Sequence, residues 1–433
     1  MPTIRRLSAL EILDSRGRPT VQAACELDSG QVGIASVPSG ASTGTAEALE
    51  LRDGDKHRFR GLGCLKAVTN ITGELYRALA GKVYNSQQQL DTFLIDCDGT
   101  PNKSRLGANA ILAVSLAFAR AAALEQHIPL YRYFAAMLGY QPHALPRPTI
   151  NLFSGGKHAG GQVAIQDVLV APLSSTTMND ALAMTYDIYQ CAAEMVLADY
   201  GMRALKADEG GLAPNFPSAE AMIEAALTAI ERAGLTAGTD VALAVDVAST
   251  QFFTPNNQSV GDDLRVVPLY HLGDQHLTGA ELVTTLLGWL DTYPIISIED
   301  GLSEEDWPHW QTFRQQAAGR ALIMGDDLLC TNPTRIQRAI DEQAANALLL
   351  KVNQIGTLTE AAAAFQLARS AGWHVTVSAR SGETEDNWLA DLAVGWGGDH
   401  IKIGSITQSE RLAKYNRLLT IEAETGWQLK STL

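Results

Sequence analysis

Positive charge is scarce in this chain. Its 433 residues carry 33 Lys and Arg against 48 Asp and Glu, a formal charge of −15. General nucleic-acid binders neutralise phosphates with Lys and Arg, so that class of partner is excluded. Any anionic ligand must instead be held by a local cation site. Cysteine is sparse too. Cys25, Cys64, Cys97, Cys191 and Cys330 are odd in number, scattered and free of a Cys-x-x-Cys pair. That argues against a disulfide framework or a zinc site, and reduced thiols are expected. The apolar stretch 108–124 is broken by Asn109, Ser115 and Arg120, and the opening MPTIRRLSALEILDSRG turns polar too soon for a secretory segment. A cytoplasmic protein without a membrane partner is the expectation. The phosphate-loop Gly-Lys-Ser/Thr motif, the Gly-x-Gly-x-x-Gly fingerprint and the His-Glu-x-x-His helix are also missing. Nucleotide-loop and zincin mechanisms lose their usual support.

What is present reads as an ordinary globular chain, 46% hydrophobic and 19% charged, long enough for two domains or one large barrel with an appendage. Val21, Ala23, Cys25 and Leu27 alternate with Gln22, Ala24, Glu26 and Asp28, the period of a half-buried strand. Asp28-Ser29-Gly30 supplies a turn, and Val32, Ile34 and Val37 form a returning strand, so an antiparallel meander is predicted. A helix is predicted from about Asn109 to Gln126. The segment Gln141 to Thr149 holds Pro142, Pro146 and Pro148 and cannot sustain a helix. It is taken as the linker, dividing the chain into domains 1–140 and 141–433.

Beyond the linker, short Val, Ile and Leu runs alternate with helical segments, the signature of repeated strand-helix units in a parallel sheet or barrel. The runs are 241–245, 294–298, 321–324, 347–350, 374–377 and 400–403. Each closes on a polar residue: Asp246, Glu299, Asp326 with Asp327, Lys351, Ser378 with Arg380 just beyond, and Lys402. One polar residue at a strand end needs no function. Six in register place three acids and three bases around one barrel mouth, where active sites are built. Clustered carboxylates are unfavourable without a cation, and a hard divalent ion with oxygen ligands, Mg2+, resolves this for Asp246, Glu299 and Asp326. Lysine is rare, and both Lys351 and Lys402 sit in apolar sequence. A desolvated lysine near bound metal can act as a general base. Asp208-Glu209-Gly210-Gly211 sets a carboxylate beside two glycines, and PSGASTG at 38–44 suits either a lid or a plain turn.

These residues resemble the enolase family. Asp14-Ser-Arg-Gly17, PSGASTG at 38–44, ELRDGD at 50–55, NKSRLGANAIL at 102–112, DEGG at 208–211, SIED at 297–300, LLLKVNQIGTLTE at 348–360 and SGETED at 381–386 occur in order and span nearly the whole chain. The resemblance implies an α/β chain, with an enolase-type modified (β/α)8 TIM barrel preceded by an α+β domain of antiparallel meander and helices. It further implies two Mg2+ ions, a homodimer or higher homo-oligomer, and interconversion of 2-phosphoglycerate and phosphoenolpyruvate. Asp246, Glu299 and Asp326 would bind one Mg2+, and Ser42 on the closing loop would help bind the other. Lys351 would remove the C2 proton, and Lys402 would hold the substrate carboxylate. Glu209 would assist departure of the C3 hydroxyl, with Arg380 and Ser381 on the phosphate and His158 nearby.

The departures cluster. The family's SHRSGETED reads Ser378-Ala379-Arg380-Ser381 onward, so a histidine facing the leaving hydroxyl is replaced by Ala379. Its Gln-Glu-Phe reads Gln166-Asp167-Val168, which shortens a second catalytic carboxylate at that end by one methylene. A family acid after the Asp246 strand is Gln251, and the threonine after the second lysine is Ile403. The reading taken forward is therefore a specialised paralogue handling an enolpyruvate, such as a carboxyphosphonoenolpyruvate synthase, acting on a small phosphorylated or phosphonate carboxylate. The alternative is an ordinary glycolytic phosphopyruvate hydratase, and a non-catalytic binding paralogue comes last.

Overall fold

Three antiparallel strands open the chain: β1 (Ile4–Leu13), β2 (Pro19–Leu27) and β3 (Val32–Ser36), in the order β1-β2-β3. The computed structural model describes residues 2–41, 43–201, 205–255 and 269–431. The predicted alternation holds in β2, where Val21, Ala23, Cys25 and Leu27 are all buried. Their inner face is covered by the helix Ala108–Glu125, close to the predicted span. Gly33 permits the close approach, because a Cβ there would fall 2.1 Å from the Ala117 carbonyl oxygen and 2.3 Å from the Ala121 nitrogen. That helix is long and apolar enough to cross a membrane, yet 83% of it is buried inside the fold. Its hydrophobicity is that of a core helix.

The larger unit is a closed barrel. Its strands are β4 (Arg147–Ser154), β5 (Asp167–Pro172) and β6 (Val241–Asp246), then, past a small side sheet of β7 (Phe253–Thr254), β8 (Leu269–Leu272) and β9 (Gln275–Leu277), β10 (Ile295–Glu299), β11 (Leu322–Gly325), β12 (Ala347–Leu350), β13 (His374–Ser378) and β14 (His400–Gly404). The barrel order is β10-β11-β12-β13-β14-β4-β5-β6. All six apolar runs read from the sequence are barrel strands, matching within a residue or two. Burial on both faces explains their near-continuous hydrophobicity.

Two expectations are corrected. The segment assigned to the linker runs into β4, which starts at Arg147 and pairs Pro148 with Ile401 of β14. Proline breaks helices, but this one sits near a strand start, where its missing N–H is tolerated. The barrel is also not wholly parallel, because β5 runs antiparallel to both β4 and β6. Its first residue therefore lies at the mouth where the other strands end.

Candidate active site

The reversal of β5 sets Asp167 directly opposite Asp246 on one side and Ser154 on the other. Asp246 in turn pairs with Glu299 across the β6–β10 ladder. Neighbouring strand ends thus deliver Asp167, Asp246 and Glu299 to one rim. Lys402 reaches across from β14, its ammonium donating to Asp246 at 2.8 Å and to both Glu299 oxygens at 2.8 and 2.9 Å. All three side chains are buried. Burial opposes the charge on Lys402, but Asp246 and Glu299 outweigh it and hold the ammonium well above its ordinary range. Burial and the Asp246 charge push the Glu299 carboxyl well up.

Asp326 lies just past β11 and accepts from Lys351 and, at 2.8 Å, from Gln354. Thr331 fixes both neighbours, donating to the Gln354 carbonyl at 2.7 Å and accepting the Lys351 backbone N–H at 2.9 Å. Burial would lower the Lys351 pKa, but Asp326 raises it above the ordinary value. The Asp326 carboxylate pairs with this lysine and favours its ammonium form.

The three anticipated metal ligands do not form one tight triad. Asp326 instead groups with Asp300 and Asp327, one oxygen of each lying within 4.8 Å of the others, while Lys402 stands against Asp246 and Glu299. Asp300 accepts the backbone N–H groups of Asp326 at 2.9 Å and Asp327 at 2.8 Å, which fixes the loop after β11. The donor set nevertheless fits a hard divalent ion. Seven acids are buried here, Asp167, Glu209, Asp246, Glu299, Asp300, Asp326 and Asp327, against the fewer buried cations Lys402, Arg380 and Arg411 with Lys351 and His158 beside them. Such an excess of buried oxygen donors matches Mg2+ and not a soft metal.

Glu209 arrives on the loop before the helix Ala219–Arg232. Gly210, at φ +87°, turns that loop where a side chain would strike Thr407. The Glu209 carboxylate accepts from Asn151 at 3.1 Å. Burial raises its pKa, but His158, Arg411 and the two lysines outweigh burial and lower it. His158 Nδ1 stands 3.1 Å from Asp167. Gln166 donates to Asp246 at 2.9 Å and accepts from Gln251 at 2.6 Å.

The residues anticipated on the phosphate stand at the side of this cluster nearest Asp326 and Lys351. Arg380 is clasped by the Glu47 carboxylate through two 3.1 Å hydrogen bonds and donates to Asn353 at 3.0 Å. The Ser381 hydroxyl accepts from Arg16 at 3.0 Å and from the Ala41 N–H at 2.7 Å, and Ser39 exchanges backbone bonds with Gly382. Ser381 therefore ties the glycine-rich loop to the barrel. Thr45 is tied likewise, its N–H and hydroxyl both donating to Glu304 at 3.0 Å. Ser42 lies outside the described residues. Two larger cavities lie outside the cluster. One of about 920 Å³ lies between the meander and the barrel beside Asp14 and Arg417, and one of about 760 Å³ lies behind the loop of Lys157 and Gln162.

Sequence reading did not single out Glu47, Gln354, Asn151 or Ser154. Their neighbours at the site are contributed by distant segments, so short-range spacing carries no signal for them.

A family model described as the enolase C-terminal TIM barrel domain matches residues 142–431, and one described as the enolase N-terminal domain matches residues 4–134. The chain belongs to the enolase family. It is an enzyme of enolase lyase chemistry, the phosphopyruvate hydratase class, and the observed barrel with its three-stranded meander is the enolase architecture. Family membership carries with it Mg2+ and a phosphorylated carboxylate substrate. Both matches are to enolase itself. They favour the ordinary enolase over the specialised paralogue expected from Asp167 and Ala379, and they give no support to a phosphonate substrate.

Proposed function

We propose that this enzyme interconverts 2-phosphoglycerate and phosphoenolpyruvate. The observation that carries the reading is the convergence of two buried lysines, Lys351 and Lys402, with buried acids at one mouth of an enolase-family barrel. The C2 proton of such a substrate is weakly acidic, because removing it puts a second negative charge beside a carboxylate. Lys351 takes the C2 proton as the neutral amine, after its ammonium proton has left to solvent, and Asp326, itself held by Gln354, fixes where its nitrogen stands. Lys402 holds the charge that develops on the substrate carboxylate. Glu209 and His158 serve the departing C3 hydroxyl, and Arg380 exchanges its Glu47 partner for the substrate phosphate. Asp246, Glu299, Asp326 and Ser42 are the residues that would hold Mg2+, which when bound supplies positive charge to the substrate carboxylate and phosphate.

The same reading includes domains 1–140 and 141–433, a cytoplasmic location and a homodimer or higher homo-oligomer. Five free cysteines support the location. Exposed apolar side chains on one part of the meander and its helix, Leu10, Leu13, Ile34 and Leu124, support the oligomer.

One observation favours the specialised paralogue as a second reading: Ala379 is buried and, like the short Asp167, offers less polar reach than the family residue it replaces. The purified chain with Mg2+ and 2-phosphoglycerate, followed by enol absorbance, separates the two. The ordinary reading expects turnover of about 1 to 10³ per second, and Ala379→His should leave it equal or higher. Negligible turnover, not improved by Ala379→His, would overturn it.

A further inference from the structure

We propose that Ser154 is a positioning residue of the leaving-group half of the site, fixing through the Asp167 carboxylate the tautomer and orientation of His158. The kinetic arm of this inference rests on the enolase reading above, whereas its structural arm does not.

Asp167 opens the one reversed strand and is enclosed by ladder partners on both sides, Ser154 of β4 and Asp246 of β6. Its side chain is 0% exposed. Each oxygen already has a buried partner: the Ser154 hydroxyl donates to Oδ1, and His158 Nδ1 meets Oδ2 at 3.1 Å. A carboxylate only accepts, so Nδ1 carries a proton and Nε2 is the ring nitrogen not engaged by Asp167. Burial opposes charge on His158, but Glu209 and Asp167 outweigh it and raise the imidazole pKa. Glu209 completes the group, since one ligating atom each of His158, Asp167 and Glu209 lies within 4.8 Å of the others.

Ser154 is locked in turn. A Cβ on Gly211 would fall 2.3 Å from its Oγ, so the Gly211 backbone walls that hydroxyl in. The Ser154 N–H donates to the Leu212 carbonyl at 2.9 Å, which ties β4 to the segment that carries Glu209. The chain Ser154, Asp167, His158 thus has the logic of a third group orienting a base, as outer partners orient working histidines elsewhere. Asp167 acts through His158. A family carboxylate one methylene longer would reach past this position. The shorter Asp167 is committed to the imidazole and the serine.

The test compares wild type, Ser154→Ala and Asp167→Asn in nitrogen-15 histidine NMR spectra, with His158→Gln identifying the resonance, and in turnover of 2-phosphoglycerate with Mg2+. Both variants should shift the His158 Nδ1 resonance and, in spectra taken where the ring is neutral, lower the share of its Nδ1-protonated tautomer. Ser154→Ala should lower kcat about 10-fold with KM changed by less than about twofold, and should cost nothing further in the His158→Gln background. Unchanged His158 resonances in Ser154→Ala, or a loss as large in the His158→Gln background as in wild type, would overturn the inference. If wild type does not turn over 2-phosphoglycerate, the proposed function fails, while the NMR comparison still decides this one.

Discussion

Removing the Lys402 ammonium should make the fold dependent on a divalent cation. Its nitrogen lies 2.8 Å from both Asp246 and Glu299, with side-chain exposures of 7%, 2% and 6%. At an effective dielectric constant of about 20, a unit-charge pair at that distance gains roughly 6 kcal/mol before desolvation. Desolvation of the lysine takes back several kcal/mol, and removing one partner of a buried pair costs about 3–5 kcal/mol net. Lys402→Met, which keeps the stem, isolates that effect. At roughly 2 °C per kcal/mol for a domain of this size, the melting midpoint in EDTA should fall by about 6–10 °C. Saturating Mg2+, at about 100 times its dissociation constant, should return about 2.7 kcal/mol by binding the orphaned acids. The pH dependence has a definite sign. Glu299 already titrates well above an ordinary carboxyl, chiefly through burial and Asp246, and loss of the lysine raises it further. A folded pKa raised further means that the variant's native state holds the proton to higher pH, so the deficit relative to wild type grows as pH rises through the raised folded value of Glu299 and is smallest below it. Thermal melts of both proteins between pH 5 and 8, with and without Mg2+, measure this. Equal midpoints in EDTA would refute the reasoning.

Two further outcomes follow from other parts of the barrel. Burial depresses His400, at the start of β14, to about 4 from 6.5. The folded state keeps it neutral while the unfolded chain protonates, so its stability contribution is intact above pH 6.5 and on the order of 3 kcal/mol is lost as pH falls to 4. In urea unfolding, His400→Gln should flatten that slope, and an unchanged slope would count against the assignment. Gly210→Ala places a Cβ at φ +87° and 2.7 Å from Thr407 Oγ1. It should cost roughly 1–3 kcal/mol in thermal unfolding and lower kcat by displacing Glu209; a neutral result would mean that the loop relaxes freely.

Much of the barrel was legible because strands buried on both faces must be apolar throughout, as in Leu348, Leu349 and Leu350. Strand direction was not. The run Asp167–Pro172 carries its acid at the beginning, whereas the other acidic strands carry theirs at the end, and only the antiparallel pairing with β4 and β6 brings that acid to the shared mouth. Pro148 hides β4, because a proline reads in sequence as a helix breaker and is equally tolerated near a strand start. At the site, register alone exposed Asp246, Glu299, Lys351 and Lys402. Glu47 reaches Arg380 across 333 positions, and Asp300 spends its carboxylate on two backbone amides. Neither arrangement leaves a local pattern. The Lys351 ion pair is hidden for a related reason, since the sequence shows the apolar flank of Lys351 but not the Asp326 carboxylate against it.

The central claim is that Lys351 removes the C2 proton, independently of the group that serves the C3 hydroxyl. Proton NMR of 2-phosphoglycerate in deuterium oxide, with enzyme and Mg2+, tests it most directly. Glu209→Gln should slow phosphoenolpyruvate formation by about 10² to 10⁴ while still exchanging the C2 proton for deuterium, and Lys351→Ala should abolish both. C2 exchange that persists in Lys351→Ala would contradict the account.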